Sequence, residues 1–164
     1  MLCGLQGAGK TSFYADRFLA SHVRISRDLL RTAHRETRFL ELCLETGQPF
    51  VVDKINATPD ARAPYVDAAR RAGFRTIAWH VDTLPRDAIA RNAARDERSR
   101  VPVPAILGTQ KELVPPAPEE GFDEVWRAWA DGRGGFHVER RAGAGTVAPA
   151  GDEARFTRGA PATR

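Results

Sequence analysis

The residues best equipped for chemistry stand at the start of the chain, in Gly4-Leu5-Gln6-Gly7-Ala8-Gly9-Lys10-Thr11. Their spacing is G-x-x-x-x-G-K-T, the phosphate-binding pattern known as a P-loop. Glycines let successive backbone N–H groups converge on phosphate oxygens in a conformation that a Cβ would strain. Lys10 then reaches toward β- and γ-phosphates, and the Thr11 hydroxyl is a ligand for Mg²⁺. A helix starting here turns its positive end toward the same anion. Gly7, Ala8, Gly9, Lys10, Thr11 and Ser12 are the expected phosphate-binding residues. The chain holds 22 Arg against 3 Lys, yet the motif position is Lys, whereas a random basic residue would have been Arg.

A phosphate cradle predicts nucleotide binding; a reaction needs further groups. Arg27-Asp28-Leu29-Leu30-Arg31 follows a short apolar stretch. Asp28 and Arg31, three apart at a helix start, would share a face. There Asp28 could deprotonate an acceptor hydroxyl and Arg31 could clamp a phosphate on that acceptor. The plainer reading is an Asp stabilising a helix N-terminus beside a solvated Arg, and spacing alone favours it. Asp53 ends the apolar run Phe50-Val51-Val52, with Asn56 three residues on. A carboxylate there can hold Mg²⁺ directly or through water. It can also simply cap the next turn, but the clean hydrophobic run favours the metal role. Arg91 and Arg95 flank Asn92 and would lie four apart on one helical face, able to fold over a triphosphate. A solvated basic face also explains them, and spacing alone prefers it. His22, His34, His80 and His137 are scattered without metal-ligand spacing and receive no role.

These groups must be positioned by strands and helices. Met1 to Cys3 is strand-like, and Thr11 to Ala20 is helical with Phe13, Phe18 and Leu19 on its apolar side. Val23 to Ser26 predicts a strand, Asp28 to Thr46 one long helix, and Gly47 its stop. Phe50 to Asp53 has the continuous apolar character of a central parallel strand. Thr58 or Asp60 caps a helix running to Ala72, beginning near Asp60 because Pro64 suits only a first turn. Phe74 to Val81 is a strand, Asp87 to Glu97 a helix, and Pro104 to Leu113 a further short helix. Phe136 to Glu139 is a last strand candidate. Alternation of strand and helix predicts an α/β fold of three layers, a parallel sheet of about five strands with helices on both faces. Leu2-Cys3 and Val51-Val52 are expected as neighbouring central strands, which would place Asp53 at the P-loop mouth. Only three residues precede Gly4, where a strand of about five is usual. Either that strand is clipped or the natural chain starts upstream.

Length fits one domain over residues 1–140, with a mobile lid at about 91–104 and a disordered tail over 141–164 rich in Gly, Ala, Thr and Pro. The net charge of +4 permits nucleic-acid binding without showing it, because the tail carries four Arg against Asp152 and Glu153, half of the excess. No apolar run of about 18 residues predicts a membrane span. No secretory signal pattern opens the chain, and two cysteines make a disulfide framework an unneeded assumption. A cytoplasmic location is expected.

Taken in order, GLQGAGKTS, ISRDLLR, FVVDKIN, RNAAR, Val101-Pro102 and EGFDEV resemble the polynucleotide 5′-hydroxyl kinase family and its small P-loop kinase relatives, over Leu2 to Val125. The resemblance implies ATP and Mg²⁺ at Lys10 and Thr11, with Asp53 at the metal. It implies Asp28 as general base, Arg31 on the acceptor phosphate and Arg95 on the ATP phosphates, reversing the plainer readings of these residues. Lys10, Asp28 and Arg95 become the expected catalytic residues, with Arg91 beside them at the nucleotide. The sequence departs from the family at Gln6, where Pro is frequent, and at Ile55, where Thr is usual. No phosphatase or ligase motif accompanies the kinase pattern. The same scaffold phosphorylates sugars, antibiotics and nucleotide-sugars, so a small-molecule kinase is the alternative to a kinase acting on a nucleic-acid 5′ end. A non-catalytic nucleotide-binding module is the other class. Against a guanine-nucleotide switch, the chain has no N-K-x-D segment and would leave Asp28 idle.

Overall fold

The computed structural model describes residues 1–141. Six strands and six α-helices follow in order: β1 (Leu2–Cys3), α1 (Lys10–Arg17), β2 (Val23–Ile25), α2 (Arg27–Leu30), α3 (Ala33–Thr46), β3 (Phe50–Val52), α4 (Pro59–Arg71), β4 (Ile77–Val81), α5 (Pro85–Ala93), α6 (Val103–Glu112), β5 (Glu124–Ala130) and β6 (Phe136–Arg141). Short 3₁₀ turns lie at Glu97–Ser99 and Pro118–Glu120.

The strands form two hydrogen-bonded groups, β2-β3 and β1-β4-β5-β6. A single parallel bridge from Leu2 to Asp53 joins them, so β1 lies between β3 and β4. The five strands β1–β5 all run parallel, but the fifth, β5 over Glu124–Ala130, is a strand the sequence reading did not mark. The expected last strand, Phe136 to Glu139, falls in β6 but is not one of the parallel five. β6 pairs antiparallel with β5, from Ala130 opposite Phe136 to Val125 opposite Arg141. A hairpin suits this position, since Gly132 and Gly134 both take positive φ in the connecting turn. Direct neighbours β1 and β3 leave the chain in opposite directions, which opens a crevice at their C-terminal ends.

Both sheet faces are covered. Leu2, Trp79, Val81 and Ala128 pack against Phe13 of α1, Ala88 of α5 and Ile106 of α6. On the other face Ala78 and Val125 meet Val66 of α4. Ile25 of β2 packs on Leu30 of α2 and Cys43 of α3. Three layers result, the arrangement expected from alternating strands and helices.

Several boundaries differ from expectation, each for a local reason. The long helix predicted from Asp28 to Thr46 is two helices. Arg31 takes φ +69 and ends α2, and the Thr32 hydroxyl accepts the Arg35 N–H at 3.2 Å to start α3. A threonine cap competes well with an uninterrupted helix. Gly47 ends α3 in the left-handed conformation, as predicted. Helix α4 begins at Pro59, within one residue of the expected Asp60, with Thr58 as its cap and Pro59 in its first position. Pro64 sits inside it, exposed. Helix α5 stops at Ala93, short of Glu97. Phe74 to Thr76 stay outside β4. The tail expected from 141 onward begins, at Arg141, inside β6; residues 142–164 lie outside the described residues. Among the described residues, no helix is long and apolar enough to cross a membrane.

Candidate functional site

The P-loop links β1 to α1, and its backbone shows why glycines occupy it. Gly9 is the N-cap of α1 with φ +98. Gly7 has φ +80, and a Cβ there would run into the carbonyl oxygen of Ala88, so α5 packs directly on the loop. Ala8 is buried beneath, whereas Ser12 and Thr11 are exposed at the start of α1. Lys10 Nζ donates to the carbonyls of Gly4 at 2.8 Å and Leu5 at 2.7 Å, closing the loop on itself. Burial lowers the Lys10 pKa to about 8, with the Asp53 carboxylate pulling it back up. A desolvated ammonium held by two carbonyls has much to gain from a phosphate anion.

Asp53 lies immediately beyond β3, and its bridge to Leu2 sets it beside the loop. Thr11 Oγ1 donates to Asp53 Oδ2 at 3.2 Å. A hydroxyl and a buried carboxylate converging from two elements are hard oxygen donors of the kind Mg²⁺ takes, so the residues fit that ion. Arg24 of β2 joins them: its Nε donates to Asp53 Oδ2 at 2.8 Å and its Nη2 to Thr11 Oγ1 at 3.0 Å. Nothing in the local pattern Val23-Arg24-Ile25 announces this, because an arginine in a sheet-edge strand is ordinary. Asn56 serves the frame. It is buried at φ +48, and its Nδ2 donates to the Leu2 carbonyl at 2.6 Å, stitching β1 to the segment after β3.

Asp28 stands exposed in the first turn of α2, and it faces the same cleft as the P-loop. Arg31 also lines that cleft, but from the break after α2. The two therefore do not share a helix face, as their spacing had implied; the left-handed residue redirects Arg31. A knot around the buried Glu36 carboxylate holds α2 in place. Glu36, in the first turn of α3, accepts Arg27 Nε at 2.9 Å and Lys54 Nζ at 2.9 Å, and Tyr65 donates its hydroxyl to the same carboxylate. Burial alone would raise the Glu36 pKa, but the bonds from Tyr65, Lys54 and Arg27 outweigh it and hold the group below its ordinary value. The sequence reading missed this knot, since its members come from four separate elements.

Arg91 and Arg95 part company. Helix α5 ends before Arg95, so they are not on one helical face. Arg95 is exposed and lines the cleft together with Arg98 and Arg100. Arg91 stays outside the lining, donating to Thr83 Oγ1 at 3.0 Å and, over longer distances, to the carbonyls of Gly7 and Ala8. It braces the P-loop from behind. Asn92 and Val101 exchange two hydrogen bonds, of 2.7 and 3.0 Å, and so clasp the base of the loop that carries Arg95.

The cleft enclosed by these parts measures about 790 Å³. Seven Lys and Arg side chains line it against the carboxylates of Asp28 and Asp53. Its P-loop wall has the backbone geometry of a phosphate cradle, and its basic surplus suits an anion. A family model described as an AAA domain matches residues 1–116. The chain belongs to that family. This AAA domain is a P-loop nucleotide-binding domain of a family that includes many kinases, and the match spans the P-loop, α2, Asp53 and the Arg95 loop together.

Proposed function

We propose that this protein is an ATP-dependent kinase transferring the γ-phosphoryl group to a hydroxyl, with a polynucleotide 5′-OH as its acceptor. The observation that carries the reading is the position of Asp28, an exposed carboxylate facing the P-loop across one basic cleft. In the reaction the acceptor oxygen bonds to the γ-phosphorus as the bond from that phosphorus to the β–γ bridging oxygen breaks, releasing ADP. Asp28 accepts the acceptor's proton, which raises the nucleophilicity of the oxygen. Lys10 and Arg95 offset charge on the transferring group and on the leaving diphosphate. Thr11 and Asp53 would hold Mg²⁺, which supplies charge neutralisation between the β- and γ-phosphates.

The acceptor follows from charge. Lys10 and Arg95 suffice for ATP, yet Arg27, Arg31, Lys54, Arg98 and Arg100 also line the cleft. Two of these, Arg27 and Lys54, are engaged by Glu36, which offsets one of their two charges. Arg31, Arg98 and Arg100 remain for an acceptor that carries its own phosphate. A nucleic-acid 5′ end meets that condition, because the nucleotide bearing the hydroxyl also bears a 3′-phosphate. The test is transfer of label from γ-radiolabelled ATP to a panel of 5′-OH oligonucleotides, nucleoside 3′-phosphates, sugars and simple alcohols. Preferential labelling of the first two supports the reading. Labelling of uncharged alcohols instead would make it a small-molecule kinase, and labelling of none would leave a nucleotide-binding module.

A further inference from the structure

Arg24 has no part in the chemistry described above, yet it makes the closest contacts in the metal site. Its Nη2 lies 2.6 Å from Asp53 Oδ2 and 3.0 Å from Thr11 Oγ1, and its Nε reaches the same Oδ2 at 2.8 Å. One positive group thus spans both oxygens that would hold Mg²⁺. The carboxylate is buried, with 3% of the Asp53 side chain exposed, whereas the arginine retains 23%. A buried carboxylate without a cation is costly, so the site is one that always wants a positive partner. In the same position the Arg24 guanidinium carbon lies 5.8 Å from the centre of the Tyr14 ring, a cation–π contact that does not involve Asp53.

We infer that Arg24 is the resident cation of the metal site, exchanging with the divalent ion rather than coexisting with it on Thr11 and Asp53. The proposal rests on the assignment of Thr11 and Asp53 to Mg²⁺. Two positive charges cannot share one carboxylate oxygen at hydrogen-bond distance without strong repulsion. Metal entering alone must displace a charge-assisted pair, and gains only two protein ligands in return. Metal entering with a nucleotide brings phosphate oxygens with it, and these complete its shell. Arg24 therefore makes metal loading conditional on nucleotide, and leaves Asp53 neutralised while the nucleotide site turns over. It is a positioning residue; it touches neither reacting oxygen.

The experiment measures metal binding directly, with Mn²⁺ as the probe, by electron paramagnetic resonance of the free ion and without nucleotide. The wild-type protein should bind Mn²⁺ weakly. Arg24→Met, which keeps the length and removes the charge, should bind it at least tenfold more tightly. Arg24→Gln serves as the second variant, with circular dichroism to establish that each is folded. Adding Asp53→Asn to either should abolish the gain, locating it at this site. A parallel arm measures affinity for a non-hydrolysable ATP analogue with and without Mg²⁺. If the analogue binds more tightly with Mg²⁺ but Mn²⁺ affinity is the same in wild type and both variants, the exchange role of Arg24 is overturned and the metal site stands. If Mg²⁺ has no effect on the analogue and neither variant binds Mn²⁺, both fall.

Discussion

The Arg62 guanidinium, wholly buried, meets Glu120 through two hydrogen bonds, Nε to Oε2 at 2.6 Å and Nη2 to Oε1 at 2.7 Å. Its Nη1 donates to the carbonyls of Asn56 and Val114, at 2.8 and 3.0 Å. One side chain of α4 thus fastens the segment behind Asp53 to the chain leaving α6. Arg62→Ala would strand a carboxylate and two carbonyls at once. Removing one partner of a buried pair costs about 3–5 kcal/mol, and urea unfolding should show a loss of that size. Arg62→Lys should recover little, because an ammonium cannot meet Glu120 bidentately.

Lys10 should make nucleotide binding pH-dependent. Its pKa is about 8 in the free protein, and bound phosphates favour the charged form. Binding therefore takes up a proton once the pH exceeds that value. ATP affinity should be flat below about pH 7.5 and fall by up to about tenfold per unit above pH 8, as the linkage requires. Isothermal titration in buffers of different ionisation enthalpy reads the proton directly. Lys10→Ala should lose both this dependence and turnover while keeping its fold.

Asp28→Asn should remove phosphoryl transfer and leave ATP affinity nearly intact, since in the proposed reaction the carboxylate serves the acceptor rather than the donor. Arg31→Ala should weaken nucleoside 3′-phosphates about ten- to hundredfold, the worth of a charge-assisted hydrogen bond of about 1.5–3 kcal/mol. Uncharged alcohols should be little affected. Steady-state kinetics on both acceptor types separate these outcomes, and equal losses would remove Arg31 as the phosphate clamp.

Arg95 and Arg91 should fail differently when each is changed to Ala. Arg95 reaches the cleft from beyond α5, so its loss should lower turnover at saturating ATP by about a hundredfold, as for other donors to transition-state charge. Arg91 braces the carbonyls of Gly7 and Ala8. Its loss should loosen the P-loop and raise the KM for ATP more than it lowers kcat. Reversed behaviour would exchange the two roles.

The groups legible in the sequence were those whose function is encoded in short spacing. G-x-x-x-x-G-K-T names its own backbone geometry, and Gly9 at φ +98 adopts it. The apolar run before Asp53 announced a central strand, and the bridge to Leu2 puts it beside β1. Spacing misled where the chain broke between two residues. Arg31 ceased to follow Asp28 round a helix because Thr32 began a new one, and Arg95 left the face of Arg91 because α5 stopped at Ala93.

What the linear sequence determined by itself is the set of groups available: a phosphate-cradle pattern, a carboxylate after an apolar run, another at a helix start, and many guanidinium groups. What only the tertiary structure decided is which guanidinium serves which carboxylate. Arg24 pairs with Asp53, Arg27 with Glu36 and Arg62 with Glu120, across separations of 29, 9 and 58 residues. The side chains are chemically identical, so no local pattern distinguishes them. Their partners are set by which elements the sheet order brings within hydrogen-bond reach and by how completely packing removes water. A buried carboxylate must find a cation nearby, and the fold alone determines which one is near.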